Sequence, residues 1–347
     1  MAGLFFLVSG ESPTLPSSEV RSILEAEGFS YQILSALTQV LRFNADPSCI
    51  KPIAFRSAMT RVCGIEILNC KASPTEIFEN IEMAEISSFM GESETFAVRM
   101  RRVKGSSPGI DGLALEREVG EIIRRNVSGS RVDLEAPQRT FFGILTDGRL
   151  LLGLKTASVK PGEFLERGPR RRMFFHSAAM PAKLARCMVN LAQPRTGDLV
   201  LDPFCGTGSF LVEAGLMGFR VIGFDVKRYM VEGSLRNLSL FGIETEGMAL
   251  ADARRPPLNE MSADCVVTDP PYGTSTTTLG VGTSDVLESF FRNISDVVKK
   301  ESRVCLAAPK TIKVKEIGER SGFKHLESHF IYIHRSLTRD IAVFERE

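Results

Sequence analysis

Four aspartates in the second half of the chain stand where chemistry could be done, because Asp202, Asp225, Asp252 and Asp269 each follow a short apolar run. The last of them opens Asp269-Pro270-Pro271-Tyr272-Gly273, the most specific motif in the sequence. Two prolines after a buried strand fix φ and impose a rigid turn. That turn aims the Asp269 carboxylate and the Pro270 carbonyl into a cleft as paired acceptors, while Tyr272 offers an aromatic face. Such a trio suits a planar base with an exocyclic amino group. Taken alone, the same residues also describe a β-turn with a satisfied helix cap.

The first aspartate sits in Leu201-Asp202-Pro203-Phe204-Cys205-Gly206-Thr207-Gly208. Gly206 and Gly208 permit a tight turn with close backbone approach to a ligand, and the helix start behind them offers free N–H groups. Asp225 is placed to hold ribose hydroxyls, and Asp252 ends the next strand. A dinucleotide is disfavoured: the third glycine of its fingerprint would fall on Leu211, and Asp202 would lie beside a pyrophosphate. S-adenosylmethionine fits better, since it has no phosphate, its ammonium wants a carboxylate such as Asp202, and its ribose can use Asp225. A helix N-cap is the simpler account of any one of these aspartates. It is a poorer account of all three.

These residues need a frame, and the second half supplies one. From Pro181 the chain alternates strands and helices. The spacing predicts a helix over 181–192, strand 198–202, helix 208–217, strand 220–224, helix 228–241 and strands 246–251 and 264–268. Helix 284–299, strand 302–308, helix 311–321 and strands at 326–334 and 338–345 follow. Strands separated by helices imply a parallel sheet with helices on both faces, and the last two strands read as an antiparallel edge hairpin. In such a sheet the ligand sits at the carboxyl ends of the strands, where the four aspartates fall.

The first half reads as short strands and helices with no repeat, in two α+β units. Strand 3–8, a helix opened by Pro16-Ser17-Ser18-Glu19, strands 30–35 and 38–43, a helix near 51–58 and strand 61–68 make one. A helix from Ser73-Pro74, strand 94–103, a helix over 113–125 and strands 139–146 and 149–155, joined by Asp147-Gly148, make the other. Residues 156–180 are the best boundary, with Pro161-Gly162, Gly168-Pro169 and the run Arg170-Arg171-Arg172.

Composition is that of an ordinary globular chain of 347 residues, with 43% hydrophobic and 24% charged residues. The net charge of +1 hides an asymmetry, because residues 96–195 hold 19 Lys/Arg against 9 Asp/Glu. A basic middle third is the footprint of a polyanion-binding module, and equally that of solvated helices and a linker. Arg99, Arg101 and Arg102 on strand 94–103 and Lys104 just after it, with Arg170, Arg171 and Arg172, are the candidates to meet a phosphate backbone. The apolar start at 3–8 is too short for a signal peptide or a membrane span and reads as a first β-strand, while the scattered, unpaired cysteines make a reducing cytoplasm the expectation. Seven cysteines without a C-x-x-C pair, and four histidines, argue against a disulfide framework or a metal site.

The second half resembles class I, Rossmann-like S-adenosylmethionine-dependent methyltransferases of the amino-methylating kind. The likeness rests on Phe175-His176-Ser177 through Pro181 to Arg186, on Asp202 to Gly208, and on Asp269-Pro270-Pro271-Tyr272. The first half is similar to a ferredoxin-like domain followed by a THUMP RNA-binding domain, at Thr95 to Arg102 and at Val132-Asp133-Leu134 with Pro137. Together they resemble the archaeal tRNA guanosine-N2 methyltransferases that act on guanosine 10. The resemblance implies a ferredoxin-like domain over 1–70, THUMP over 71–155, a basic linker over 156–180 and the methyltransferase over 181–347. It adds Phe175, His176, Phe204, Thr207, Val226 and Ala253 to the cofactor site, and it makes Asp269, Pro270 and Tyr272 the catalytic group. One departure is His176-Ser177, where many relatives carry His-Pro. The expected partner is tRNA, with no membrane or metal, for a monomer whose need of an accessory subunit stays open. Two alternatives remain: another amino-methylated base, in DNA, rRNA or elsewhere in tRNA, and an RNA-binding protein without catalysis.

Overall fold

The structure is a computed structural model and describes residues 1–272 and 282–347. Gly273, the last residue of the Asp-Pro-Pro-Tyr-Gly motif, lies outside the described residues. The chain divides into two units. The first comprises Met1–Glu11, Phe29–Ala54 and Thr60–Val159, and the second Ser12–Gly28, Phe55–Met59 and Lys160–Glu347.

Apolar runs bounded by turns make the strands of the first unit: β1 (Ala2–Val8), β2 (Tyr31–Leu37), β3 (Val40–Ala45), β4 (Thr60–Lys71), β5 (Thr95–Arg102), β6 (Arg131–Val132), β7 (Arg139–Thr146) and β8 (Arg149–Ser158). They form one eight-stranded sheet in the order β2-β3-β1-β4-β8-β7-β5-β6. The sequence suggests two separate α+β units. Long-range pairing joins them instead, since β4 and β8 run antiparallel from Val62 opposite Ser158 to Lys71 opposite Arg149. Helices α3 (Pro74–Met83) and α4 (Gly112–Asn126) cover the far half of this sheet, and Ile77, Ile81, Val119 and Ile123 share a core with Phe96 and Phe141. Helix α4 starts on Asp111, whose carboxylate accepts from the amides of Leu113 and Ala114, the bonds expected of an N-cap.

Helix α1 (Leu15–Ala26) lies in the sequence between β1 and β2 but clusters with the second unit. Glu19 is the reason. It is fully buried and accepts from Ser57 Oγ (2.7 Å), the amides of Ala58 and Met59 (2.8 Å each) and Asn190 Nδ2 (2.9 Å). The carboxylate thereby ties the segment just after helix α2 (Ile50–Arg56) to Asn190 of a later helix.

The second unit holds α5 (Gly162–Glu166), α6 (Ala182–Leu191), β9 (Leu199–Asp202), α7 (Ser209–Leu216), β10 (Arg220–Asp225), α8 (Arg228–Leu240), β11 (Gly247–Leu250), β12 (Cys265–Thr268), α9 (Thr283–Val297), β13 (Arg303–Pro309), α10 (Val314–Arg320), β14 (Phe323–His334) and β15 (Leu337–Arg346). Its seven strands run β11-β10-β9-β12-β13-β15-β14, and β15 pairs antiparallel with both of its neighbours. The strand order reverses between β10 and β12, on either side of β9. This opens a crevice at the carboxyl ends of β9 and β12. One core runs beneath it, where Phe290, Phe291, Phe323 and Phe344 pack against Leu201, Val266 and Leu306.

Residues 156–180, expected as a basic linker, are partly folded into this unit. Phe164 of α5 is buried under the Arg167 guanidinium, 4.1 Å from the ring centre, and Arg167 pairs with Glu213 of α7 at 2.8 Å. Arg186 of α6 pairs with the other oxygen of the same fully buried Glu213 at 2.8 Å. Among the described residues no helix is long and apolar enough to cross a membrane.

Candidate active site

The loop after β9 makes the floor of a cleft. Gly206 takes φ +48° and Gly208 φ +76°, left-handed values that a side chain rarely adopts, and a Cβ on Gly208 would stand 2.3 Å from Ser234 Oγ. The loop is strapped to β10 by the Cys205 amide on the Phe224 carbonyl (3.0 Å) and the Gly206 amide on Asp225 Oδ2 (3.1 Å). Asn237 of α8 ties it to the segment before α6, donating to the carbonyls of Thr207 and Phe174 at 2.9 Å each. That contact leaves His176 on the cleft wall.

The cleft has a cavity volume of about 210 Å³. Asp202, Phe204, Gly206, Thr207, Asp225, Val226, Asp252, Ala253 and His176 line it at one end, and Asp269, Pro270 and Tyr272 at the other. Two residues expected at the cofactor end are not in its lining. Phe175 is half exposed, and Gly208 serves the left-handed turn that starts α7.

Asp202 is 1% exposed. Its Oδ1 accepts from Thr268 Oγ1 (2.8 Å) and the Phe204 amide (3.2 Å), whereas its buried Oδ2 has no partner among the described residues. Burial pushes this carboxyl up to about 8, against the pull of the Thr268 hydroxyl. A buried acceptor left unmet at the wall of a cleft is what a cationic amine would complete, so the donor set fits the ammonium of S-adenosylmethionine. Asp225 accepts from the amides of Lys227 (2.9 Å) and Gly206 and lines the cleft, and burial raises its pKa. Asp252 differs. Arg254 chelates it at 2.7–3.0 Å and holds its pKa below the usual carboxylate range.

At the far end Asp269 is pushed up to about 6 by burial, opposed by Arg339 and by a hydrogen bond from Tyr272. The Tyr272 hydroxyl donates to Asp269 Oδ1, and Arg339 Nη2 lies 3.5 Å from Oδ2. Arg339 was not among the sequence candidates. Arg339 enters from β15, a strand inserted between β13 and β14, and no local motif marks it. Thr268 Oγ1 links the two ends through its bond to Asp202, so the turn after β12 and the glycine loop are held in one frame.

The basic candidates separate by burial. Arg101, Lys104, Arg170 and Arg171 are exposed. Arg99 donates to the Leu134 carbonyl at 2.7 Å, and Arg102 clamps the carbonyls of Ser106, Ser107 and Ile110. Arg172, expected to face RNA, is 6% exposed. It donates to Ser209 Oγ (2.7 Å) and the Arg167 carbonyl (3.1 Å), because the short turn Pro169–Arg171 rotates it inward to brace the start of α7. Among the described residues no three His, Cys, Asp or Glu side chains converge to hold a metal ion.

Comparison with known proteins meets this geometry. Residues 169–339 match the model of the RMKL-like methyltransferase domain and residues 71–155 that of the THUMP domain. The chain is 37% identical over 344 residues to the tRNA (guanine(10)-N2)-dimethyltransferase of Methanothermobacter thermautotrophicus, covering 99% of each chain. It belongs to the archaeal tRNA (guanine(10)-N2)-dimethyltransferase family. The Methanocaldococcus jannaschii member is 30% identical over 366 residues, covering 98% of this chain and 99% of its own. The fold of this chain is also similar to that in the crystal structure of TrmN from Thermus thermophilus, with a TM-score of 0.55 at 18% identity over 99% of this chain and 100% of that one.

Proposed function

We propose that the protein transfers one or two methyl groups from S-adenosylmethionine to the exocyclic N2 amine of guanosine 10 in tRNA. The observation that carries this reading is the cleft whose lining joins Asp202, with its unmet Oδ2, to the Asp269–Pro270–Tyr272 turn. The names of the full-length relatives support the guanosine and its position, and the dimethyl in those names supports two transfers.

Asp202 would hold the donor's ammonium, Asp225 its ribose hydroxyls, and the Gly206 loop would let the backbone approach. Bound there, S-adenosylmethionine supplies a methyl group on a positively charged sulfur. The residues of the turn do the rest. A paired guanine hides its amine, so the base must leave the stack before Tyr272 can lie against its face. The amine lone pair is delocalised into the ring and is a weak nucleophile. Hydrogen bonds to the Asp269 carboxylate and the Pro270 carbonyl favour a pyramidal nitrogen and stabilise the charge that grows on it. As the nitrogen–carbon bond forms and the sulfur–carbon bond breaks, the amine loses a proton to Asp269 or to water. Asp269 must be ionised to accept, so its environment and the pH decide the rate.

The exposed Arg101, Lys104, Arg170 and Arg171 would take phosphate contacts, which position the RNA and carry little sequence information. A tRNA substrate supports a cytoplasmic location. The test is incubation with unmodified tRNA transcript and methyl-labelled S-adenosylmethionine, followed by nucleoside analysis by mass spectrometry. N2-methyl- or N2,N2-dimethylguanosine is the expected product; label in adenosine or cytidine would overturn the substrate.

A further inference from the structure

We propose that Arg339 is a specificity-determining residue, whose guanidinium contacts O6 of the target guanine while Asp269 takes the N1–H and N2–H donors. The proposal rests on the function argued above and deepens it. Three features of Arg339 coincide at the cleft, although Arg21, paired with Glu327 away from it, also leaves its buried Nε unmet. The contact of Arg339 with Asp269 is a single, loose one at 3.5 Å. Its Nε is buried and has no hydrogen-bond partner among the described residues. Its guanidinium carbon stands 5.7 Å from the centre of the Tyr272 ring, on the wall of the cleft.

Three arginines that meet carboxylates away from the cleft are forked onto them through Nε: Arg42 on Glu66 (2.7 and 2.5 Å), Arg167 on Glu213 (2.8 and 3.2 Å) and Arg139 on Glu94 (2.9 and 3.1 Å). Arg339 withholds that donor. A buried guanidinium with an unmet N–H beside an acceptor pair is incomplete without a ligand acceptor.

The chemistry of the bases identifies the ligand. Along its Watson–Crick edge guanine presents a donor, a donor and an acceptor, at N2, N1 and O6. A carboxylate next to a guanidinium is the complementary row of two acceptors and a donor. Adenine offers a donor at N6 but an acceptor at N1, and cytosine a donor at N4 followed by two acceptors. Either would set a lone pair against the Asp269 carboxylate and leave a buried group unpaired. Sites that match a substrate's hydrogen-bonding edge reject mismatched analogues far more strongly than apolar pockets do. An Asp-Pro-Pro-Tyr turn recognises an amine on a planar base; Arg339 makes the site read guanine.

The test compares transcripts that carry guanosine or 6-thioguanosine at position 10. The sulfur analogue keeps N1–H and the N2 amine and replaces only the O6 acceptor with a weak one. The wild type is expected to favour guanosine by tenfold or more in kcat/KM, since a hydrogen bond to a charged donor is lost. In Arg339→Met the rate on guanosine should fall at least tenfold, and the preference over 6-thioguanosine should shrink to within about twofold. S-adenosylmethionine binding by the variant reports an intact fold. Should Arg339→Met fail to bind it, Arg339→Lys carries the test: a reduced preference supports the proposal and an unchanged one overturns it. A wild type without the preference, or Arg339→Met with the preference intact, overturns the assignment of Arg339 and leaves the proposed function standing. A wild type that labels no guanosine overturns the proposed function itself.

Discussion

Replacing Asp202 by Asn should make the free protein more stable and leave it unable to hold its methyl donor. Moving a carboxyl midpoint from 3.8 to about 8 costs the folded state about 5 kcal/mol at pH 7.5, relative to a group that does not titrate. Asn keeps the bonds from Thr268 and Phe204 through its own Oδ1, and it sets an NH2 where Oδ2 stands without a partner. The wild-type carboxyl, mostly protonated at this pH, sets an equally unmet O–H there, so the NH2 adds little further penalty and the variant keeps a net gain of a few kcal/mol. The sign follows from proton counting. Between pH 3.8 and about 8 the folded wild type holds a proton that the unfolded chain has released, so its stability falls as pH rises. The stability gap between variant and wild type should therefore narrow by about 2–3 kcal/mol on going from pH 7.5 to 5.5. Urea unfolding followed by far-ultraviolet circular dichroism at both pH values measures this, and calorimetry with S-adenosylmethionine should show affinity reduced at least a hundredfold. A variant that is less stable than wild type at pH 7.5 and binds the donor normally would refute the reading of Asp202.

Asp269→Ala should abolish turnover while tRNA affinity, measured by filter binding, stays within about threefold; near-normal kcat would refute the role of Asp269. Because Asp269 must be ionised and its pKa is raised to about 6, kcat/KM should fall as pH drops through 6, and in Arg339→Met that limb should move to higher pH. Replacing Arg170 and Arg171 by Ala should weaken tRNA binding and flatten its salt dependence by up to two phosphate contacts. Arg172→Ala should instead lower the melting temperature by several degrees and leave the salt slope unchanged, since its guanidinium is spent on Ser209 and the Arg167 carbonyl.

The catalytic unit was legible because its signals are local. Helix 228–241, read from spacing, is Arg228–Leu240 in the structure, and strand 220–224 is Arg220–Asp225, each bounded by its own turn residues. The aspartates could be found because each follows a strand, and the fold carries strand ends to one edge. Contacts made by distant segments were not legible. The sequence shows a helix after Pro16, but nothing near it says that Glu19 will be satisfied by Ser57 and Asn190. The run Arg170-Arg171-Arg172 looks uniform, yet a three-residue turn puts two guanidiniums outside and one inside. Arg339 was missed for the same reason: a closing hairpin was expected at the sheet edge, but its second strand inserts beside β13 and brings Arg339 to Asp269, seventy residues upstream in sequence.

The most direct test of the account uses two matched tRNA transcripts that differ only at position 10, one with guanosine and one with inosine, which is guanosine without its 2-amino group. Label from S-adenosylmethionine should enter the guanosine transcript at position 10 and be absent from the inosine transcript. Equal labelling of both would show that the methyl group goes elsewhere, and would contradict the claim that this cleft acts on the N2 amine of guanosine 10.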